Sequence, residues 1–186
     1  MKSITNALAR NKWAIELNSG LNLYPRAHQL LTGQRATFFD TTDTEPQPIA
    51  YIYGAAGMQP FTNGEVVGAG SIGIVKVHGG IVKDSDHDCG VIGSMEMAES
   101  VKALAASGVS AIVLDIDSPG GQVDGTATLA DAIKNAQVRT IAVVNDGMAC
   151  SAAYWIASAA DEVDATHNSS EVGSIGVYAT LADFSE

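Results

Sequence analysis

Ser151 lies at the point where a short apolar run gives way to an uncharged, alanine-rich one. The apolar residues 140–144 predict a buried strand, and Asn145-Asp146-Gly147 predicts a tight turn after it. Alanine at the density found in residues 152–160 favours a buried helix. Backbone N–H groups converge at the start of a helix, so a hydroxyl placed there is a candidate nucleophile whose oxyanion the same amides would stabilise.

A structural role for Ser151 is the competing interpretation, because serine is a favoured residue at helix N-caps. The reciprocal partner of a capping box, Glu or Gln three residues further on, is absent, and Tyr154 occupies that position. Both interpretations therefore stay open on this stretch alone.

A second glycine-rich motif precedes Ser151 and also follows an apolar strand. Residues 111–116 are rich in β-branched side chains, which predicts a central strand, and Asp117-Ser118-Pro119-Gly120-Gly121 comes directly after it. Proline ends the strand, and the two glycines let a peptide N–H approach a substrate with no Cβ in the way. The amphipathic run 123–133 then predicts a helix.

In this order and at this spacing, the motifs resemble those of the signal peptide peptidase A family of serine peptidases, which has the ClpP/crotonase fold. The likeness is closest to the branch encoded by tailed phages and prophages, whose members mature the capsid or portal region. It covers about residues 72 to 180. The segments that carry it are D-S-P-G-G (117–121), G-M-A-C-S-A-A-Y (147–154), A-S-A-A-D (157–161) and G-S-I-G-V (173–177).

The resemblance implies a role for five residues of this chain. Ser151 matches the nucleophile, and the amides of Gly121 and Ala152 match the oxyanion hole. Ser174 matches a serine that orients the general base. Gly120, together with Gly121, matches the backbone that binds an extended polypeptide substrate. A homo-oligomer is expected, because base and nucleophile can belong to neighbouring subunits in this family.

The general base of the family is a lysine well beyond the nucleophile, whereas the last lysine of this chain is Lys134. We therefore expect the base to come from a further segment or another subunit, and the 186-residue chain alone to be inactive. Lys76 and Lys83 are internal candidates without a supporting motif. The pair Ala152-Ala153 replaces two glycines that many members of the family carry.

Three alternatives to a Ser/Lys peptidase stay open. His167, the one histidine after Ser151, would serve as the base if the chain used a Ser-His-Asp triad as ClpP does. A non-catalytic capsid-assembly module would keep the fold without the chemistry. A crotonase-type acyl-CoA enzyme is the third, and the S-P-G-G and G-S-I-G-V motifs favour a peptidase over it.

Composition narrows the partners of the protein. Apolar residues make up 46% of the 186 residues, which predicts a globular domain. The chain has only ten Lys and Arg residues and a net charge of −11, which argues against the binding of nucleic acid. No run is long and apolar enough for a membrane span and the start lacks the apolar core of a signal peptide, so we expect a cytoplasmic location, in the host cytoplasm or the phage prohead.

No cofactor and no metal are expected. The acidic stretch 84–89 resembles half of a calcium loop, but Gly90 stands one place late for the required turn and Met95 replaces the ligating glutamate. A solvated loop is the better interpretation. The two cysteines do not suggest a disulfide framework.

The order of the elements predicts an α/β fold: a ClpP/crotonase-like core of mostly parallel strands with flanking helices. We expect residues 1–48 to form a small helical arm and an acidic, proline-containing linker, and residues 49–186 to form the peptidase domain. Within the arm, helices are predicted over residues 3–12 and from Pro25. The core is predicted to contain an edge strand over 50–53, a strand over 72–77 that continues towards Val82, and a helix over 93–106 that Gly108 ends.

Overall fold

A computed structural model describes residues 48–85 and 93–177, and the backbone of residues 13–15. The predicted helices over 3–12 and from Pro25 lie outside the described residues, as does most of the acidic stretch 84–89. Within the predicted arm, residues 13–15 form a short strand, β1.

A six-stranded sheet forms the centre of the molecule, in the order β3-β2-β4-β5-β7-β9. The four strands from β4 to β9 run parallel, and β2 pairs antiparallel with both β3 and β4. The described strands are β1 Trp13–Ile15, β2 Ala50–Gly54, β3 Gly57–Pro60, β4 Ile72–His78, β5 Ala111–Asp117, β6 Gly120–Gln122, β7 Arg139–Val144, β8 Met148–Cys150, β9 Glu162–Ala165 and β10 Glu171–Gly173.

The described helices are α1 Ser94–Ser107, α2 Thr126–Lys134 and α3 Ala152–Ala157. They pack on one face of the sheet, where alternate residues of β4, β5 and β7 are fully buried with them in one core. The chief contributors to this core are Val75, Val77, Val101, Leu104, Ile112, Leu114, Ile116, Leu129, Ile133, Ala142, Val144 and Ile156. The predicted α/β class with a mostly parallel sheet is therefore confirmed.

Three predicted boundaries are wrong. The strand over 50–53 is not at the edge of the sheet, because β3 folds back on β2 and covers it. The strand β4 ends at His78, and Ile81 instead forms a bridge to Gly121. The helix predicted from Val123 begins only at Thr126, since Gly125 before it has a φ of 87°.

The helix after Ser151 is shorter and less buried than alanine density predicts. It covers Ala152–Ala157, and its Trp155 is 43% exposed. The end of α1, in contrast, agrees with the prediction: Gly108 follows it in the left-handed conformation, with a φ of 96°.

Candidate active site

The backbone of Ser151 is strained. The strand β8 leads into this residue and α3 leaves it, and its φ of 57° and ψ of −112° lie close to those of the first central residue in a type II′ turn. Glycine dominates that position, and a residue with a side chain is held there at a cost of about 1–3 kcal/mol. Such strain persists only where the surroundings fix the conformation, which is typical of functional turns.

The hydroxyl of Ser151 does not cap the helix. Ser151 stands at the N-cap position, but its side chain forms no capping hydrogen bond, so the interpretation of its hydroxyl as a cap is wrong. The hydroxyl donates instead to the carbonyl oxygen of Gly176 across 3.2 Å, and the Ser151 N–H donates to Gly173 across 2.7 Å. Ser151 is 6% exposed, so little of the residue is open to solvent.

The D-S-P-G-G turn is bonded directly to the strand before Ser151. The N–H of Ser118 donates to Met148 across 2.7 Å, and the N–H of Cys150 donates to Ser118 across 3.0 Å. Asp117 adds a contact, because its Oδ1 accepts the N–H of Met148 at 3.2 Å. The structure therefore brings the two sequence motifs together.

Ser118 was quoted in the motif but was not predicted to have a role of its own. Its buried hydroxyl donates to the carbonyl oxygen of Gly79 across 2.6 Å and accepts the N–H of Gly120 across 3.1 Å. It thus fixes the turn from inside. The sequence could have indicated this role of Ser118, since serine side chains commonly form hydrogen bonds to nearby backbone groups in turns.

Both glycines of the turn are required by geometry. Gly120 has a φ of 98°, a conformation that other residues rarely adopt. At Gly121 an added Cβ would lie 1.9 Å from the carbonyl oxygen of Ile81, so no side chain fits without moving backbone. Both residues belong to β6, whose neighbour α3 begins with the buried Ala152. The first-turn N–H groups of α3 have no partner within the helix.

The G-S-I-G-V segment lies beside the same turn. The strand β10 runs parallel to β8, with Gly173 opposite Cys150. Ser174 follows with a φ of 52° and is exposed. Within residues 48–85 and 93–177, no lysine or histidine is bonded to its hydroxyl. The predicted orienting role of Ser174 therefore stays a prediction.

None of the internal candidates for a general base is hydrogen-bonded to Ser151 in the described part of the chain. Lys76 places its Nζ 4.7 Å from the centre of the Tyr51 ring. Lys83 is exposed, and His167 lies exposed in the loop between β9 and β10. The structure thus places α3, which follows Ser151, beside β6, and it forms no hydrogen bond between Ser151 and any of these three bases.

Asp161, the last residue of A-S-A-A-D, has a structural role in this chain. Its carboxylate accepts the Thr140 N–H at 2.8 Å and the Thr140 hydroxyl at 3.0 Å, near the start of β7. These bonds lower the pKa of Asp161 from its ordinary value. The motif therefore holds the chain at the start of the strand that leads to the nucleophile turn.

One charged pair lies on the other face of the sheet. His78 Nε2 and Asp115 Oδ2 are 3.1 Å apart, and both side chains stay partly exposed. The hydrogen bond to Asp115 is the main reason why the pKa of His78 is raised, and the bond to His78 lowers the pKa of Asp115.

No helix in the described ranges is both long and apolar enough to span a bilayer.

Comparison with known proteins places the likeness on the part of the chain that carries these motifs. The model of the NfeD1b N-terminal domain family matches residues 91–182. The head-tail preconnector protein GP5 of Enterobacteria phage P21 is 43% identical over 77 residues, which is 41% of this chain and 15% of that protein. Protease 4 of Salmonella typhi is 30% identical over 115 residues, 60% of this chain and 18% of the protease.

Protease 4 of Haemophilus influenzae is 32% identical over 116 residues, 61% of this chain and 18% of the protease. The matched segments thus span less than a fifth of these relatives' own lengths.

Two solved structures are also similar, at lower sequence identity. A mutant of the membrane-bound stomatin-specific protease 1510-N with a substrate peptide is 15% identical, with a TM-score of 0.44, covering 60% of this chain and 46% of that one.

An enoyl-CoA hydratase/isomerase family member is 18% identical, with a TM-score of 0.38, covering 54% of this chain and 45% of that one. The sequence relatives include both a protease and a phage head-tail preconnector protein. The likeness of this chain to the signal peptide peptidase A and ClpP-like serine peptidases, and to their phage-encoded branch, is therefore confirmed.

Proposed function

We propose that this chain carries the nucleophile and oxyanion hole of a serine endopeptidase of the signal peptide peptidase A type. The single observation that supports this most is the state of Ser151: strained backbone, no capping bond, and a turn bonded directly to D-S-P-G-G. A merely structural N-cap would use its hydroxyl on the helix, and this one does not.

In the proposed reaction, Ser151 Oγ attacks the scissile carbonyl carbon and its proton passes to the general base. The amides of Gly121 and Ala152 hold the resulting oxyanion, and Ser174 orients the base. The C–N bond then breaks, and the base gives the proton to the leaving amine. Water hydrolyses the acyl-enzyme by the same route in reverse, which restores the hydroxyl of Ser151.

The general base in this proposal is a lysine from a further segment or from a neighbouring subunit of a homo-oligomer. Such a lysine acts as a base when burial lowers its pKa. The carbonyl oxygen of Gly176 accepts the hydrogen bond of the Ser151 hydroxyl but cannot take its proton, so the proposed reaction needs another group as the base.

The substrate that we propose is an extended polypeptide, bound along the backbone of Gly120 and Gly121. The similarity to a phage preconnector protein supports a role in head maturation, with scaffold, capsid or portal proteins as substrates. The host cytoplasm or the prohead is the corresponding location.

A second candidate function is an assembly module without catalysis. Apolar side chains near the nucleophile turn favour it: Ile175 is 82% exposed and Val177 is 59% exposed. Exposed apolar side chains grouped in one segment are typical of protein contacts. Such a module would use Ser151 only to hold the segment through Gly176.

Covalent labelling distinguishes the two candidates. The protein is treated with a biotinylated fluorophosphonate at neutral and mildly alkaline pH, and the labelled serine is located by mass spectrometry. We expect Ser151 to be labelled selectively but slowly, because the oxyanion hole acts here without the general base. Ser151→Ala should lose the label, and Ser158→Ala should retain it. Ser158 is a matched control, because it is exposed and its hydroxyl donates to the nearby carbonyl oxygen of Trp155.

The same assay tests the internal bases. Lys76→Ala, Lys83→Ala and His167→Ala should each keep the labelling of Ser151, since none of these side chains contacts its hydroxyl. Loss of labelling in one of them would assign the base to that residue. Labels spread over exposed serines, with none on Ser151, would contradict the peptidase and favour the assembly module.

A further inference from the structure

The short strand β6 has two edges, and the fold fills one of them. The Ile81 N–H donates to Gly120 across 2.9 Å, and the Gln122 N–H donates to Ile81 across 2.8 Å. Gly120 C=O and Gln122 N–H therefore point towards Ile81. Because the intervening peptides are trans, the N–H and C=O of Gly121 point to the opposite edge.

That opposite edge is occupied by the chain's own N-terminal segment. The strand β1 pairs with β6 in antiparallel register, with Ala14 opposite Gly121, Trp13 opposite Gln122 and Ile15 opposite Gly120. Since the polar backbone groups of Gly121 face β1, Ala14 and Gly121 are the pair that exchanges N–H to C=O bonds. The segment thus contacts the amide assigned to the oxyanion hole.

An extended polypeptide bound at Gly121 would use the same backbone groups. Strand addition takes its affinity from main-chain hydrogen bonds along an open edge, and Gly121 offers no side chain in the way. An edge that already holds one strand cannot accept a second. The pairing of β1 and the binding of a substrate there exclude each other.

We propose that Trp13–Ile15 is an internal occupant of the strand-binding edge of β6, so that the N-terminal segment competes with an extended polypeptide for Gly121. This rests on the proposed function, which places substrate at that edge. An internal strand acts at an effective concentration of about millimolar, so it weakens binding in trans without abolishing it. A pairing of three residues is short enough to be displaced.

The test uses the whole chain and a single backbone hydrogen bond. Ala14→Pro removes the N–H that faces Gly121, whereas Ile15→Pro removes an N–H that points away from β6. The probe is a fluorescent peptide with the sequence of residues 9–19, and its Kd is measured by anisotropy. We expect Ala14→Pro to bind the probe about tenfold more tightly than the wild type, and Ile15→Pro to bind like the wild type.

Equal Kd values for wild type and Ala14→Pro, or no binding to Ala14→Pro, would overturn the proposal. A second measurement needs no variant: in the wild type, amide hydrogen exchange at Gly121 should be slowed about tenfold or more relative to an open amide. Free exchange at Gly121 would also overturn it. Protection of amides in β4 and β5 confirms that Ala14→Pro is folded.

The labelling of Ser151 separates this proposal from the function on which it rests. If Ser151 is labelled and the wild type and Ala14→Pro have equal Kd values, the proposed competition by Trp13–Ile15 is wrong and the proposed peptidase function is retained. If Ser151 is never labelled but Ala14→Pro binds the probe more tightly, the peptidase is wrong and competition for β6 stands.

Discussion

The amide of Cys150 donates a hydrogen bond to the carbonyl oxygen of Ser118 across 3.0 Å. This bond joins the residue just before the proposed nucleophile to the turn that supplies the proposed oxyanion hole. Together with the bond from Ser118 to Met148, it forms a short parallel bridge between the two motifs. A displacement of either turn would therefore move the other, and the predictions below concern the residues that hold this unit in place.

Glycine should be more stable than alanine at position 151. Ser151→Ala and Ser151→Gly both lose the hydroxyl, but only alanine keeps a side chain at a φ of 57°. We expect Ser151→Gly to unfold with a free energy about 1–2 kcal/mol higher than Ser151→Ala, measured by urea denaturation. The exposed helical site Ala106 is the control, where Ala106→Gly should lose about 1 kcal/mol. A lower stability of Ser151→Gly would show that the turn is not strained.

Gly121→Ala should disrupt β6. The new methyl group would lie 1.9 Å from the carbonyl oxygen of Ile81, so backbone must move. Overpacking of this kind costs about 1–3 kcal/mol or more. We expect lower thermal stability and loss of Ser151 labelling. Gly80→Ala is the matched control, since nothing lies within 4 Å of its added Cβ; equal effects of the two substitutions would contradict the assigned geometry.

Asp161→Asn should lower stability at neutral pH and have little effect in acid. The folded-state pKa of Asp161 is lowered by its bonds to Thr140, so its contribution is present above the ordinary pKa of 3.8 and is lost as the pH falls through the lowered value. Thermal unfolding from acid to neutral pH measures this. Asp164→Asn, on the exposed β9, is the control for the loss of one surface carboxylate.

The pair of His78 and Asp115 should stabilise the fold only in a middle range of pH. The raised pKa of His78 means that its contribution is complete below its ordinary value of 6.5 and is lost as the pH rises through the raised value. The lowered pKa of Asp115 means that its contribution is present above 3.8 and is lost in acid.

Because both side chains are partly exposed, the effect of this pair should stay below about 1 kcal/mol. Asp115→Asn should lower the midpoint of His78 titration, followed by NMR, towards 6.5. At alkaline pH, Asp115→Asn and the wild type should have the same free energy of unfolding. An unchanged midpoint would show that the hydrogen bond is not formed in solution.

The parts of the fold with strong local patterns were predictable from the sequence. Seven-residue strands such as β4 and β5 repeat apolar residues long enough to be recognised, and Gly108 ends α1 where a left-handed residue is needed. The pairing of the two site motifs followed from the family likeness and from the position of both motifs after strands of a parallel sheet, whose carboxyl ends meet at one crevice.

The short strands β6, β8 and β10 were not predictable, because three residues carry no periodicity. They exist through partners far along the chain, as with Glu171–Gly173 beside Met148–Cys150. The acceptor of the Ser151 hydroxyl was missed for the same reason. Gly176 is an ordinary residue of a glycine motif until the fold places its carbonyl oxygen at the nucleophile.

The dependence of Ser151 on Gly173 and Gly176 also sets when the site can form during protein synthesis. Both acceptors follow Ser151 in the chain, so a ribosome makes the nucleophile before it makes the backbone that holds it. The turn cannot take its full set of bonds until residues through Gly176 have left the exit tunnel. A nascent chain therefore carries its serine unassembled while the core around β4, β5 and β7 is already available to fold.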